Sequence, residues 1–140
     1  MSLDLENPPQ VTGYLLLFRN TQWYDAEYSR EDLQQIIDSV TAWFARLENE
    51  GKFVTGQPLN ERAAIISGEN GRSVTDGPFA EAKEAIGGYV VLNVNSMEEA
   101  IEVARTNPML KYGLTTEVRE LASSCAGMYR ARQRLAEAVV

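Results

Sequence analysis

Asp76-Gly77-Pro78 is the tightest constraint in the sequence. Pro78 fixes φ and lacks an N–H, Gly77 admits positive φ, and the Asp76 side chain can bond the backbone just ahead. The apolar segments on either side read as strands, so the tripeptide turns the chain between them. Asp76, Glu81, Lys83 and Glu84 crowd titratable groups into the same stretch, and Gly87-Gly88 closes it.

The flanking patterns give an order of elements. Gly13 to Arg19 is a near-continuous apolar run, suited to a central strand. Asn20 to Tyr28 is a loop carrying Trp23, Tyr24 and Tyr28, aromatics that suit a ligand pocket, a core cap or a subunit interface. Ser29 is an N-cap candidate ahead of Glu31 and Asp32. Leu33, Ile36, Ile37, Val40, Phe44 and Leu47 then follow at helical spacing, and Gly51 suits the residue past the helix end. Phe53 to Leu59 reads as a short strand and turn. Arg62 to Ser67 and Arg72 to Thr75 read as a hairpin around Gly68-Glu69-Asn70-Gly71, where Asn-Gly supplies the positive φ angles of a type I′ turn. Tyr89 to Val94 is a further strand. Ser96 and Glu99 have capping-box spacing ahead of a helix with Met97, Ala100, Ile101 and Ala104 on one face. Pro108 stops that helix, and Leu114 to Leu121 is the last strand.

Residues 1–12 are a polar tail, 13–121 an α+β domain and 122–140 a helical extension with a partial apolar face that must dock somewhere. The order strand, helix, strands, strand, helix, strand makes a ferredoxin-like antiparallel sheet with helices on one face. The other sheet face would then need cover, which a homodimer would supply.

Composition narrows the chemistry. Net charge is −7, which argues against direct nucleic-acid binding. Arg130, Arg132 and Arg134 form a local basic cluster that a solvated helix face explains. The sequence has no histidine, which removes Ser-His-Asp triads, Cys-His pairs and His-ligated metals. Acid–base work falls to carboxylates, Lys, Tyr or Cys125, the lone cysteine, which suits a reducing compartment. With no basic-then-apolar leader and no apolar run of spanning length, the expectation is a cytoplasmic protein without membrane contact. No motif calls for a cofactor. Without His, only oxygen-ligated ions such as Mg²⁺ or Ca²⁺ remain, and Asp76, Glu81 and Glu84 match no ligand spacing.

Thr75-Asp76-Gly77-Pro78-Phe79-Ala80-Glu81-Ala82-Lys83-Glu84 with Gly87-Gly88-Tyr89 resembles the DGPF signature of the YCII-related family, from about Gly13 to Leu121. The resemblance implies a dimeric α+β barrel. It also implies a regulatory partner by analogy, since relatives are often associated with alternative sigma factors. Ala82 stands where the family pattern has Thr. The His–Asp unit proposed for a characterised branch cannot carry over to a chain without His.

The sharpest site hypothesis is a small-molecule site centred on Asp76 as general base. Lys83 or Arg119 would supply positive charge, Glu81, Glu84 or Glu117 a second carboxylate, and Tyr14 a substrate-orienting hydroxyl. Its competitors are turn chemistry at Asp76 with surface ion pairs around it, and an interaction module with an exposed apolar patch on the C-terminal helix.

Overall fold

In the computed structural model, residues 12–77 and 85–137 are described. The first strand, β1 (Tyr14–Arg19), alternates buried and half-buried residues. Helix α1 (Arg30–Asn49) starts at Ser29, whose Oγ accepts from Asp32 N at 3.1 Å. It ends at Glu50, followed by Gly51 at φ +69°. Then come β2 (Phe53–Pro58), β3 (Ala64–Ser67), β4 (Ser73–Asp76) and β5 (Ile86–Leu92). Helix α2 (Met97–Arg105), β6 (Thr115–Glu120) and α3 (Ala126–Glu137) complete the chain.

The main sheet is four-stranded, ordered β2-β5-β1-β6, and every neighbouring pair is antiparallel. This is the ferredoxin-like arrangement. Tyr14, Leu16 and Phe18 align with Leu92, Val90 and Gly88 on one face. That face packs under Trp43 and Leu47 of α1 and Ala100, Val103 and Ala104 of α2. The opposite face carries Leu15 and Leu17 beside Val91, Tyr89, Glu117 and Arg119.

The expected dimeric α+β barrel is not formed. The sheet is open, with β2 and β6 as its edges, and β3 and β4 stand apart as a two-stranded sheet. Barrel closure takes about eight tilted strands, and four strands of this length cannot curl far enough for their edges to meet.

Smaller corrections have local causes. The buried stripe of α1 is Ile36, Trp43 and Leu47, whereas Leu33 and Ile37 are exposed. The helix is rotated to drive the Trp43 indole into the core, which turns Ile37 outward. At α2, Ser96 Oγ accepts from Glu99 N at 3.1 Å, but Glu99 Oε2 reaches back to Asn95 N at 3.0 Å rather than to Ser96. The hairpin places positive φ at Asn70 and Gly71 as expected. Its connection runs between the paired residues Ser67 and Ser73 through a short 3-10 turn, Glu69–Gly71, in place of a two-residue type I′ turn. Helix α3 has no buried residue.

Candidate functional site

At the end of the sheet where β1 stops, the chain folds over itself to leave a cavity of about 370 Å³. Asn20 takes positive φ directly after β1, and its side chain donates to Thr115 Oγ1 at 3.1 Å. This turns residues 20–22 across the sheet end and into a short 3-10 turn, Trp23–Asp25. Trp23 and Tyr24 meet edge to face at 5.8 Å. Tyr28 carries the aromatic cluster on to Tyr112 at 5.7 Å.

The other wall comes from the connection between β2 and β3. Leu59 N donates to Gly87 O at 2.9 Å, which holds the exit of β2 against β5. Gly87 lies so close to Thr21 that any Cβ would overlap the Thr21 side chain. Tyr24 Oη donates to Glu61 Oε1 at 2.7 Å, and both residues line the cavity. This bond holds the phenol above its usual pKa, with desolvation and the charges of Glu61 and Asp25 acting the same way. Tyr24 is therefore held as a neutral hydroxyl donor facing Glu61.

Asp76 ends β4 opposite Ala64 and is exposed. The next residue, Gly77, donates its N–H to Ala63 O at 2.7 Å, and Ala63 is part of the cavity wall. Asp76 is thus the last paired residue at the base of the hairpin, beside the cavity. Among the described residues its carboxylate makes no hydrogen bond or ion pair. Glu81, Lys83 and Glu84 lie outside the described residues.

The other two expected site residues are elsewhere. Tyr14 is at the opposite end of β1, on the helix-covered face. Arg119 is on the edge strand β6, on the helix-free face, where its Nη1 lies 3.3 Å from Glu117 Oε2. Glu117 also holds Arg19 Nη2 at 2.8 Å, and these hydrogen bonds, Arg19's first, hold its carboxyl below the usual range. The structure therefore does not bring Asp76, Tyr14 and Arg119 together. The pair that sequence reasoning missed, Tyr24 and Glu61, is separated by 37 residues. Tyr24 was visible as a loop aromatic, and nothing in the local sequence singles out Glu61.

Among the described residues there is no group of three or more Cys, Asp or Glu placed to hold a metal. None of the described helices is long and apolar enough to cross a membrane.

The fold and cavity define a class: a ferredoxin-like α+β domain with a polar, aromatic-edged recess at one end of its sheet. Residues 21–122 match the YCII-related domain model, and the chain belongs to that family. A 95-residue stretch is 27% identical to an uncharacterized protein of Rhizobium meliloti (strain 1021), covering 66% of this chain and 77% of the relative. A solved structure, the 5-chloro-2-hydroxyhydroquinone dehydrochlorinase from Burkholderia phenoliruptrix AC1100 in complex with 2,5-dihydroxybenzoquinone, is similar over 78% of this chain and 93% of that one. Its identity is 21% and its TM-score 0.40.

Proposed function

We propose that this YCII-related protein is a small-molecule-binding domain, with the recess at the β1 exit as its site. The observation that carries the reading is the Tyr24–Glu61 pair, set in a cavity whose wall is bonded to the residue after Asp76. Ligand sites combine apolar lining with a few converging polar groups, and a volume of about 370 Å³ falls in their range. Trp23 offers an aromatic surface, Tyr24 a donor and Glu61 an acceptor. On a substrate, Asp76 is the carboxylate for proton abstraction, with Glu81 and Lys83 as binding groups from the same motif. Asp76-Gly77-Pro78-Phe79 supports a place in the DGPF branch of the family.

A thermal-shift screen with polar metabolites tests this. A ligand at a hundredfold its Kd adds about 2.7 kcal/mol of stability. The expected result is a compound that stabilises the wild type and loses its effect in Glu61→Gln and Asp76→Ala, both still folded. If a ligand keeps its full effect in both variants, this site is wrong.

A second reading has its own observation. Met128, Tyr129 and Leu135 of α3 are all exposed, a pattern suited to a docking helix. It supports an interaction module, with a sigma factor as partner by family analogy. Leu15, Leu17 and Tyr89 on the helix-free face similarly support a homodimer, with a second copy covering that face. Sedimentation velocity decides the latter: a dimer that Leu17→Glu converts to monomer supports it, and a wild-type monomer removes it.

A further inference from the structure

The opposite end of the sheet holds a different cavity, of about 630 Å³. It is bounded by the start of β1, the connection from β5 to α2, and the chain leaving β6. Tyr14 lines it while remaining only 8% exposed. Buried tyrosine hydroxyls ordinarily find a hydrogen-bond partner. The Tyr14 hydroxyl has none among the described residues. Nor is it sealed in: Thr116 Oγ1 is the one fully buried, unbonded side-chain polar atom among those residues. The Tyr14 hydroxyl thus keeps some exposure, and Tyr14 is one of the residues that line the cavity.

The walls set the sign of what fits. Glu120 pairs with Tyr14 across β1 and β6 and lies on the rim. Asn93 and Asn95 contribute from the connection after β5, and among the described residues no wall residue is a Lys or Arg. Asn93 spends an amide hydrogen on Gly51 O at 3.3 Å, which leaves its carbonyl oxygen to accept. The α2 N-terminus does not call for an anion, because Ser96 Oγ and Glu99 Oε2 already take the backbone donors of Glu99 and Asn95. Burial, then Glu120 and Glu98, keep the Tyr14 phenol neutral beyond its usual range. An anion would meet carboxylates here, whereas a cation would meet a counter-charge.

We infer that this cavity is a second binding site, distinct from the recess at the β1 exit, and that it takes a small protonated amine bearing a hydroxyl. The ammonium pairs with Glu120 and the hydroxyl bonds the orphaned Tyr14 phenol.

Ethanolamine is the probe, with acetate and ethylene glycol as charge controls, followed by amide NMR on the full chain. The expected result is saturable shifts at residues 93–95 and 120–124 with ethanolamine and none with acetate. Removing the charge in Glu120→Gln weakens binding about tenfold, the loss of one charge-assisted bond. Tyr14→Phe weakens it too, and the exposed control Glu69→Gln does not. Absence of saturable shifts, equal shifts from acetate, or unchanged affinity in Glu120→Gln each overturn the inference. Glu120 is exposed, so its variant keeps the test valid should Tyr14→Phe fold poorly.

Discussion

Trp43 Nε1 donates to Thr106 Oγ1 at 2.7 Å, and that hydroxyl donates onward to Val103 O at 2.6 Å. The bond ties the middle of α1 to the end of α2 across the top of the core. Trp43 is 4% exposed, so its indole N–H has little access to water as a substitute. Thr106→Val keeps the shape and removes the acceptor. It should cost about 1–3 kcal/mol, the penalty for leaving a buried donor unmet. Urea unfolding measures this, and in a Trp43→Phe background the same substitution should cost much less.

Acid stability should depend on Glu117. Its carboxyl is held below the usual range by Arg19 and then Arg119. A depressed folded-state pKa stabilises the fold above the unfolded pKa, near 4, and the contribution fades as pH falls through the folded value. Glu117→Gln should therefore be less stable than the wild type at pH 7. The gap should close as pH falls through the lowered folded-state pKa. A gap that persists in acid would assign Glu117 a packing role instead.

At the alkaline end the sign reverses. The Tyr24 phenol is raised, chiefly by its hydrogen bond to Glu61. The protonated form is the one the fold favours, so its contribution is present below the unfolded pKa, near 10, and is lost as pH rises through the folded one. In an ultraviolet titration of phenolate, Glu61→Gln should make one tyrosine ionise earlier. That tyrosine should be absent from the Tyr24→Phe titration.

Two glycines should respond in opposite directions to alanine. A Cβ at Gly87 would run into Thr21, so Gly87→Ala must displace the loop that walls the recess. It should lower the melting temperature and weaken any ligand bound there. Gly127 lies in α3 with open space around it. Gly127→Ala should firm that helix by about 0.5–1 kcal/mol, read as slower amide exchange in α3 alone.

Features written in a few neighbouring residues were legible. Ser29 announces α1, Gly51 its end, and Asn70-Gly71 the hairpin, because caps and turns are decided by local backbone chemistry. The near-continuous apolar run from Gly13 to Arg19 marked β1 as a central strand, which is its place in the sheet. The rotation of α1 was not legible, since Ile37 and Trp43 both suit an apolar stripe and only packing against β1 and β5 chooses between them. Barrel closure was expected from resemblance rather than from any residue, and the strand count of one sheet opposes it. The recess was only half visible. The motif marks the chain near Asp76, but the Tyr24–Glu61 pair arises from two loops that meet only after the sheet has formed.

The bond from Leu59 N to Gly87 O has one more implication. It brings the two ends of the excursion from residue 60 to residue 86 together on the finished sheet. The hairpin within that excursion joins no strand of the main sheet. Closing a longer or shorter loop at such a point changes the cost of folding only slowly with length. The scaffold is therefore built like a socket: the segment between Leu59 and Gly87 can change in length at little cost to the folding of β1, β2, β5 and β6.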